Sequence, residues 1–555
     1  MSNHESWPRT TAADWRAQVE KELAGKSFDK VLVDDLGEGL KVAPLYTEVP
    51  AALPQREVRS SPFRICIRSD KKTIASDIAG GAESLWLGLD DVASVTADHI
   101  AKTHFVFDTK PERQLNVLDG LDVGLSFVLN FDPLGRFAKK QSSAKDLADE
   151  LKFLPALART IHGKFPHGIA SMVSTIPVHE AGADAADEIA HALSSGAVML
   201  EALLDDGSSA DGAAGQIALQ VALGRDTFVE LCKVRALRVC WRKLLAACGA
   251  KNESQTWVHC VCSSRTLTLR DPWVNMLRVT TQMFAGILGG ADLVTPNAFD
   301  RAFGEESALG RRVANNTGLV LREESYLGKV LDPAGGSYYF ETLTDSLARE
   351  AWRRFQKIQK EGGVVSAIES GRLAAQLEKS WSDRLAQIAR RKIAILGVSE
   401  FANLDEKLPH SIPNSKLSTA HREAETFEAL RVRAEQLKSP PEAILVTLGA
   451  LAETRPRVGF SAGFLAAGGI GSRETSSAEK ASIACICGTD ERYASEAAAC
   501  ARALKSAGCQ RVLVAGRPGA LEKDLRAAGV DGFIFVGCDV VATLTDLLND
   551  LEGAS

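Results

Sequence analysis

Histidine runs out early in this chain. Of the ten histidines in 555 residues the last is His421, so everything beyond it lacks imidazole, the usual nitrogen ligand of transition metals and the side chain best suited to proton transfer near neutrality. Tyrosine is scarce as well. The five, at 46, 326, 338, 339 and 493, fall outside the barrel strands read below, which therefore present no phenol to a ligand. No segment approaches about 18 uninterrupted apolar residues, and the N-terminal "MSNHESWPRTTAADW" has no apolar signal core, so a cytoplasmic protein with no membrane span is expected. A large excess of either charge is missing too. Lys and Arg total 65 against 71 Asp and Glu, a net of −6 with no long basic or acidic run, which argues against nucleic acid as a partner.

The eleven cysteines are an odd number with packing-like placement. Cys232, Cys240 and Cys248 recur on one helical pattern, while Cys260/Cys262 and Cys485/Cys487 alternate along strand-like runs. Thiols in a reduced compartment are expected, with neither bridges nor a metal centre.

What is present is a series of short β-branched and aromatic runs. "FRICIRS" (63–69), "LWLGL" (85–89), "HFVFD" (104–108), "LSFVLN" (125–130), "IASMVS" (169–174), "IALQVAL" (217–223), "WVHCVCS" (257–263) and "ADLVTP" (291–296) read as eight strands. Helical patterns such as 91–102 and 226–249 lie between many of them, the signature of a parallel sheet. Eight units over about 250 residues suit a closed (β/α)8 barrel. Within this scheme Asp271-Pro272 is expected to cap a helix whose buried face carries Trp273, Leu277, Phe284 and Leu288, with Gly289-Gly290 ending it.

After the eighth unit, "VLDPAGGSYYFETLTD" (330–345) turns through Pro333-Ala334-Gly335-Gly336 and opens a helix, with Thr342 and Asp345 expected as a capping box. Leu347, Ala351, Trp352, Phe355 and Ile358 continue as a buried stripe. Residues 376–455 read as a polar linker, and 456–555, with strands at 481–488, 511–518 and 532–539, as a small flavodoxin-like α/β domain.

Common site motifs fail. Gly25-Lys26-Ser27 resembles the end of a phosphate loop, but Glu20 stands where the first glycine belongs. "GGIGSRE" lacks the last glycine of a dinucleotide fingerprint, and "VHEAG" (178–182) has no second histidine at helical spacing for zinc.

Residues 330–345, together with "NMLRVTTQMFAGILGGADLVTPNAFD" (275–300), "PLYT" (44–47), "DPLG" (132–135) and "EGGVVSAIESG" (361–371), closely resemble the adenosylcobalamin-dependent methylmalonyl-CoA mutase family over nearly the whole chain. The resemblance implies an N-terminal extension (1–60) that contacts a partner, an acyl-CoA-binding barrel (61–375), a wrapping linker (376–455) and a cobalamin-binding-like domain (456–555). It also implies radical interchange of methylmalonyl-CoA and succinyl-CoA in a site that excludes water.

Departures from the family pattern qualify that expectation. The D-x-H-x-x-G motif, whose histidine ligates cobalt in catalytic members, does not occur; "RVGFSAGFLAAGGIGS" (457–472) stands where it is expected. The R-G-x-Y-P and H-R-G-Y-D-S-D segments are also missing. His259 matches the histidine of the family's H-T-Q-T, but Val261 replaces its glutamine, which leaves His259 a barrel-lining histidine first and a weak catalytic candidate second. The departures match one branch, the small subunit of the heterodimeric enzyme. By that likeness no catalytic, cofactor-binding or metal residue is expected here; cobalamin and acyl-CoA belong to a larger homologous subunit. Two alternatives stay open: a mutase chain for another acyl-CoA using cobalamin supplied in trans, and a regulatory or docking module.

Overall fold

All eight expected barrel strands form. In the computed structural model, which describes residues 10–36, 40–50, 59, 61–96, 103–109, 122–251, 256–304, 306–408 and 421–553, they run Arg64–Arg68, Ser84–Gly88, His104–Asp108, Ser126–Asn130, a fifth in two pieces, Ile217–Leu223, Val258–Cys262 and Leu293–Thr295. The fifth strand breaks at Ala170: Gly168–Ile169 pairs with the fourth strand and Ser171–Ser174 with the sixth. Every pairing in the ring is parallel, and the eighth strand pairs back onto the first. The ring therefore closes through that one broken strand, the (β/α)8 barrel expected.

Strand alternation sorts the side chains. Leu85, Leu87, Phe105, Phe107, Phe127 and Leu129 point outward into the main core against the helices, whereas Cys66, Val106, Val128, Met172, Ala218 and Leu293 form a separate buried cluster with Trp86 and Trp257. Members of this second cluster come from strands all around the ring, so it lies inside the barrel.

Two helices flank the site described below. Ala185–Asp205 starts on Asp184, whose carboxylate accepts from Asp187 N, and Thr227–Ala247 starts on Asp226, which accepts from Phe228 N and Val229 N. The expected helix over 91–102 begins as a 3-10 turn at Leu89–Ser94; positions 97–102 lie outside the described residues.

Three local expectations are corrected. The helix after Pro272 runs Val274–Gly289 with no side-chain cap, and Asp271 instead takes a left-handed turn at φ 45°. Its inner face is Asn275, Val279, Gln282, Met283 and Ile287; of the expected face, Phe284 and Leu288 pack partly buried against the main core, while Leu277 is 66% exposed and Trp273 43%. The helix of residues 338–360 is capped by Ser337, which accepts from Phe340 N; Thr342 sits within it, donating to Tyr338 O at 2.7 Å. No Thr342–Asp345 box forms because the helix has already begun. The stripe expected on it does form: Leu347, Ala351 and Phe355 are buried and Trp352 and Ile358 pack against the same core.

The Pro-Ala-Gly-Gly turn is held from outside. Gly336 adopts φ 81°, a conformation open to glycine, and its N–H donates to Glu341 at 3.0 Å. Buried Arg235 then bridges both sides of the turn, bonding Asp332 before it and Glu341 after it, the latter at 2.7 Å.

The C-terminal sheet has five parallel strands in the order Gly471–Thr475, Glu442–Leu448, Ile483–Gly488, Arg511–Ala515, Gly532–Ile534. This is the 2-1-3-4-5 order of a flavodoxin-like fold. Its first strand, Glu442–Leu448, lies in the stretch expected to be linker, so the sheet starts before residue 456. The linker helices are fastened to the barrel by charge. Glu423, 2% exposed, meets Arg225, Arg265 and Arg384 at 3.5, 3.7 and 3.1 Å. Among the described residues no helix is long and apolar enough to cross a membrane.

Candidate functional site

The C-terminal mouth of a (β/α)8 barrel is where such folds place their chemistry. Here the mouth and axis carry a hydrogen-bonded set of the chain's own side chains. Trp86, from the second strand, donates its Nε1–H to Asp108 at 2.7 Å, and Asn130 donates to the same carboxylate oxygen at 2.7 Å. The Arg68 guanidinium lies 4.5 Å over the Trp86 ring and donates to Asn297 at 3.2 Å. Below them the His259 ring meets the edge of Trp86 at 5.3 Å.

Both nitrogens of His259 are engaged. Gln220 donates to Nδ1 at 3.1 Å and Nε2–H donates to Thr295 Oγ1 at 2.7 Å, while Ser174 donates to Gln220 at 2.7 Å. Burial, reinforced by the Arg68 charge, pulls the His259 pKa down to about 3, so the ring is neutral at physiological pH. A general base needs a free lone pair aimed at substrate; the one lone pair here is spent on Gln220. His104, stacked on Trp257 at 4.9 Å and bonded to Ser84 at 3.1 Å, is likewise pulled down to about 3, chiefly by burial.

Sequence reading passed over a second constellation. His179 Nε2 lies 2.7 Å from Ser263 Oγ and its Nδ1 2.9 Å from Glu188, with Lys233 2.8 Å from Glu188 and 2.6 Å from Glu230. Burial opposes ionisation of Glu188, but Lys233 and His179 outweigh it and hold the carboxylate well below its usual range. Ser263 is 3% exposed and His179 1%, and Arg265 donates to the carbonyls of His179 and Ala183 at 2.7 and 3.2 Å. The arrangement copies a nucleophile–base–acid line but is sealed and tied to backbone, so it braces the fifth and seventh strand ends. The i,i+3 spacing of Glu230 and Lys233 was the one local signal for it.

The residues present do not fit a histidine-ligated cobalamin. In a flavodoxin-like domain ligands meet the C-terminal strand ends, and here the first strand ends at Leu448 and runs through Gly449 into the helix Leu451–Ala466. That turn lies ahead of 457–472, the stretch expected to match the ligand motif, because the first strand already starts at Glu442. Across it Glu453 accepts from Ala450 N at 3.3 Å, and no imidazole follows His421, which stacks on Trp381 at 5.0 Å in the linker. Tyr493 donates to Ala515 O at 2.8 Å and accepts from Gly488 N at 3.0 Å, stitching the third and fourth strand ends together. Among the described residues no group of three or more His, Cys, Asp or Glu is placed to hold a metal, and all eleven cysteines are free thiols.

The family model described as methylmalonyl-CoA mutase matches residues 123–463. The chain is 32% identical to a methylmalonyl-CoA mutase small subunit of Streptomyces virginiae, covering 99% of this chain and 96% of that protein. It is 39% identical to a probable methylmalonyl-CoA mutase small subunit of Mycobacterium tuberculosis, covering 67% and 63%. A methylmalonyl-CoA mutase small subunit of Propionibacterium freudenreichii subsp. shermanii is 32% identical over 77% and 69%. The closed barrel, the 2-1-3-4-5 C-terminal sheet and these likenesses agree: the chain belongs to the methylmalonyl-CoA mutase family.

Proposed function

We propose that the chain is a small, non-catalytic subunit of a heterodimeric methylmalonyl-CoA mutase. It pairs with a larger homologous subunit that carries adenosylcobalamin and the acyl-CoA substrate and interconverts methylmalonyl-CoA and succinyl-CoA. The observation that carries this reading is Trp86. Its indole stands among the inward-facing side chains with Asp108 bonded to its N–H, Arg68 over its ring and His259 against it edge-on, so an acyl chain entering along the axis would have to displace a hydrogen-bonded aromatic ring. The carboxylate of Asp108 at the mouth would also repel an acid substrate.

Three further facts support the reading. The domain after His421 contains no imidazole for cobalt, His259 has no nitrogen to spare, and the relatives above are themselves named small subunits. A catalytic reading with cobalamin supplied in trans would need His259 free. The role left to this chain is to support the fold or closure of its partner. Visible absorption of the purified chain titrated with adenosylcobalamin tests the proposal: no stoichiometric spectral change is expected, and tight one-to-one binding by this chain alone would overturn it.

A further inference from the structure

Independently of the pairing with a larger subunit, the geometry points to a site for a small organic anion at the C-terminal edge of the flavodoxin-like sheet, held by Arg457 and Arg517. A cavity of about 400 Å³ opens there between the ends of the third, fourth and fifth strands. Its lining divides by chemistry. Val514, Leu521, Leu525 and Phe533 form an apolar floor, and Arg457, Arg517 and Asp490 are the charged groups on it.

Arg457 projects from the helix Leu451–Ala466 and lies 4.7 Å over the Tyr493 ring. Its Nη2 meets Asp490 at 2.5 Å, whereas Nη1 is buried with no hydrogen-bond partner. Gly516 leaves the room for this: a Cβ there would stand 3.3 Å from Nη1. Arg517, at the lip, is anchored by one bond of 3.3 Å to Val536 O and by the Phe535 ring at 4.9 Å. The only carboxylate on the lining is Asp490, whose side chain is 82% exposed.

Two guanidinium groups against one solvated carboxylate leave the cavity with a surplus positive charge above an apolar floor. A guanidinium presents up to five donors in a plane suited to carboxylate and phosphate, and doubly wound sheets bind ligands at this edge. The ligand class that matches is an oxyanion, phosphate or carboxylate, on an apolar or aromatic body of modest size. Asp490 then acts as an internal stand-in for the anion, occupying Arg457 until a ligand takes its place.

Substitutions of opposite sign test this. Calorimetric titration of the full chain would use phenyl phosphate and benzoate as probes, with phenol and inorganic phosphate as controls. One of the two organic anions should bind one-to-one and more tightly than either control, and which one it is distinguishes phosphate from carboxylate. Asp490→Asn, which removes the competitor, should tighten that binding by up to about fivefold, the scale of an exposed ion pair. Arg457→Gln should weaken it at least about tenfold. Should Arg457→Gln fail to fold, Arg517→Met, on an exposed side chain, carries the same expectation of weaker binding. Failure of both organic anions to bind the wild-type chain, or binding indifferent to the arginine variants, would overturn the assignment.

Discussion

Trp86 and Asp108 are joined across neighbouring barrel strands by a 2.7 Å bond from the indole N–H to the carboxylate. That bond fixes the orientation of one of the two tryptophans packed against the cluster inside the barrel. Trp86→Ala would remove it and leave a void among Cys66, Val106, Val128 and Met172. A loss of about 3 kcal/mol is expected, read by chemical denaturation, with Asp108→Asn costing less because an amide oxygen still accepts the bond.

Acid should unfold this chain through its buried histidines. Burial is the main cause that pulls His259 and His104 down to about 3 and His179 and His191 to about 4. These groups bind protons more readily unfolded than folded. Their contribution is therefore complete above the ordinary histidine value of about 6.5 and is lost as pH falls below it, at up to about 1.4 kcal/mol per pH unit for each proton taken up. His259→Gln should flatten the fall in stability between about pH 6 and pH 4; an unchanged slope would mean that the ring is not held neutral.

A carboxylate cluster has the opposite sense. Asp187 lies 2.8 Å from Arg354 and accepts from Gln376 at 2.7 Å, while its second oxygen is buried without a partner. Burial, then the neighbouring Asp184, Glu188 and Glu350 charges, push it up to about 8. The folded state holds this proton more tightly than the unfolded state, so stability falls as pH rises from about 4 towards 8. Asp187→Asn should remove that dependence and raise stability at pH 8 by on the order of 1 kcal/mol, measured as a shift in the unfolding midpoint.

The barrel was legible because its strands are short β-branched runs separated by helices, and the physics of burial on both faces demands such runs. The C-terminal first strand was not, because Glu442–Leu448 follows a Pro-Pro turn and opens on an exposed glutamate. The helix Val274–Gly289 misled for another reason. Its buried positions include polar Asn275, bonded to Thr268 O and Phe299 O at 2.9 and 2.8 Å, and Gln282, bonded to Thr266 at 2.7 Å, while Leu277 stays in solvent. Hydrophobic periodicity cannot see a polar side chain whose partners lie in other segments. The same limit hid the His179–Ser263–Glu188 line, assembled from three separate elements, whereas His259 was visible through its match to the histidine of the family's H-T-Q-T segment.

The linker should come loose from the barrel when its charge anchor is cut. Glu423→Gln would leave Arg225, Arg265 and Arg384 around a neutral amide in a buried site. Breaking such a cluster on one side costs about 3 kcal/mol, and limited proteolysis should cleave within 372–408 faster than in the wild-type chain.

On the proposed reading the barrel of this chain performs no chemistry of its own. The direct measurement is turnover of methylmalonyl-CoA by this chain carrying His259→Gln, reconstituted with a larger mutase subunit and adenosylcobalamin. The expected rate is within about twofold of the wild-type pair, a difference of about 0.4 kcal/mol or less in the barrier. A fall of a hundredfold or more with the pair still assembled would contradict it.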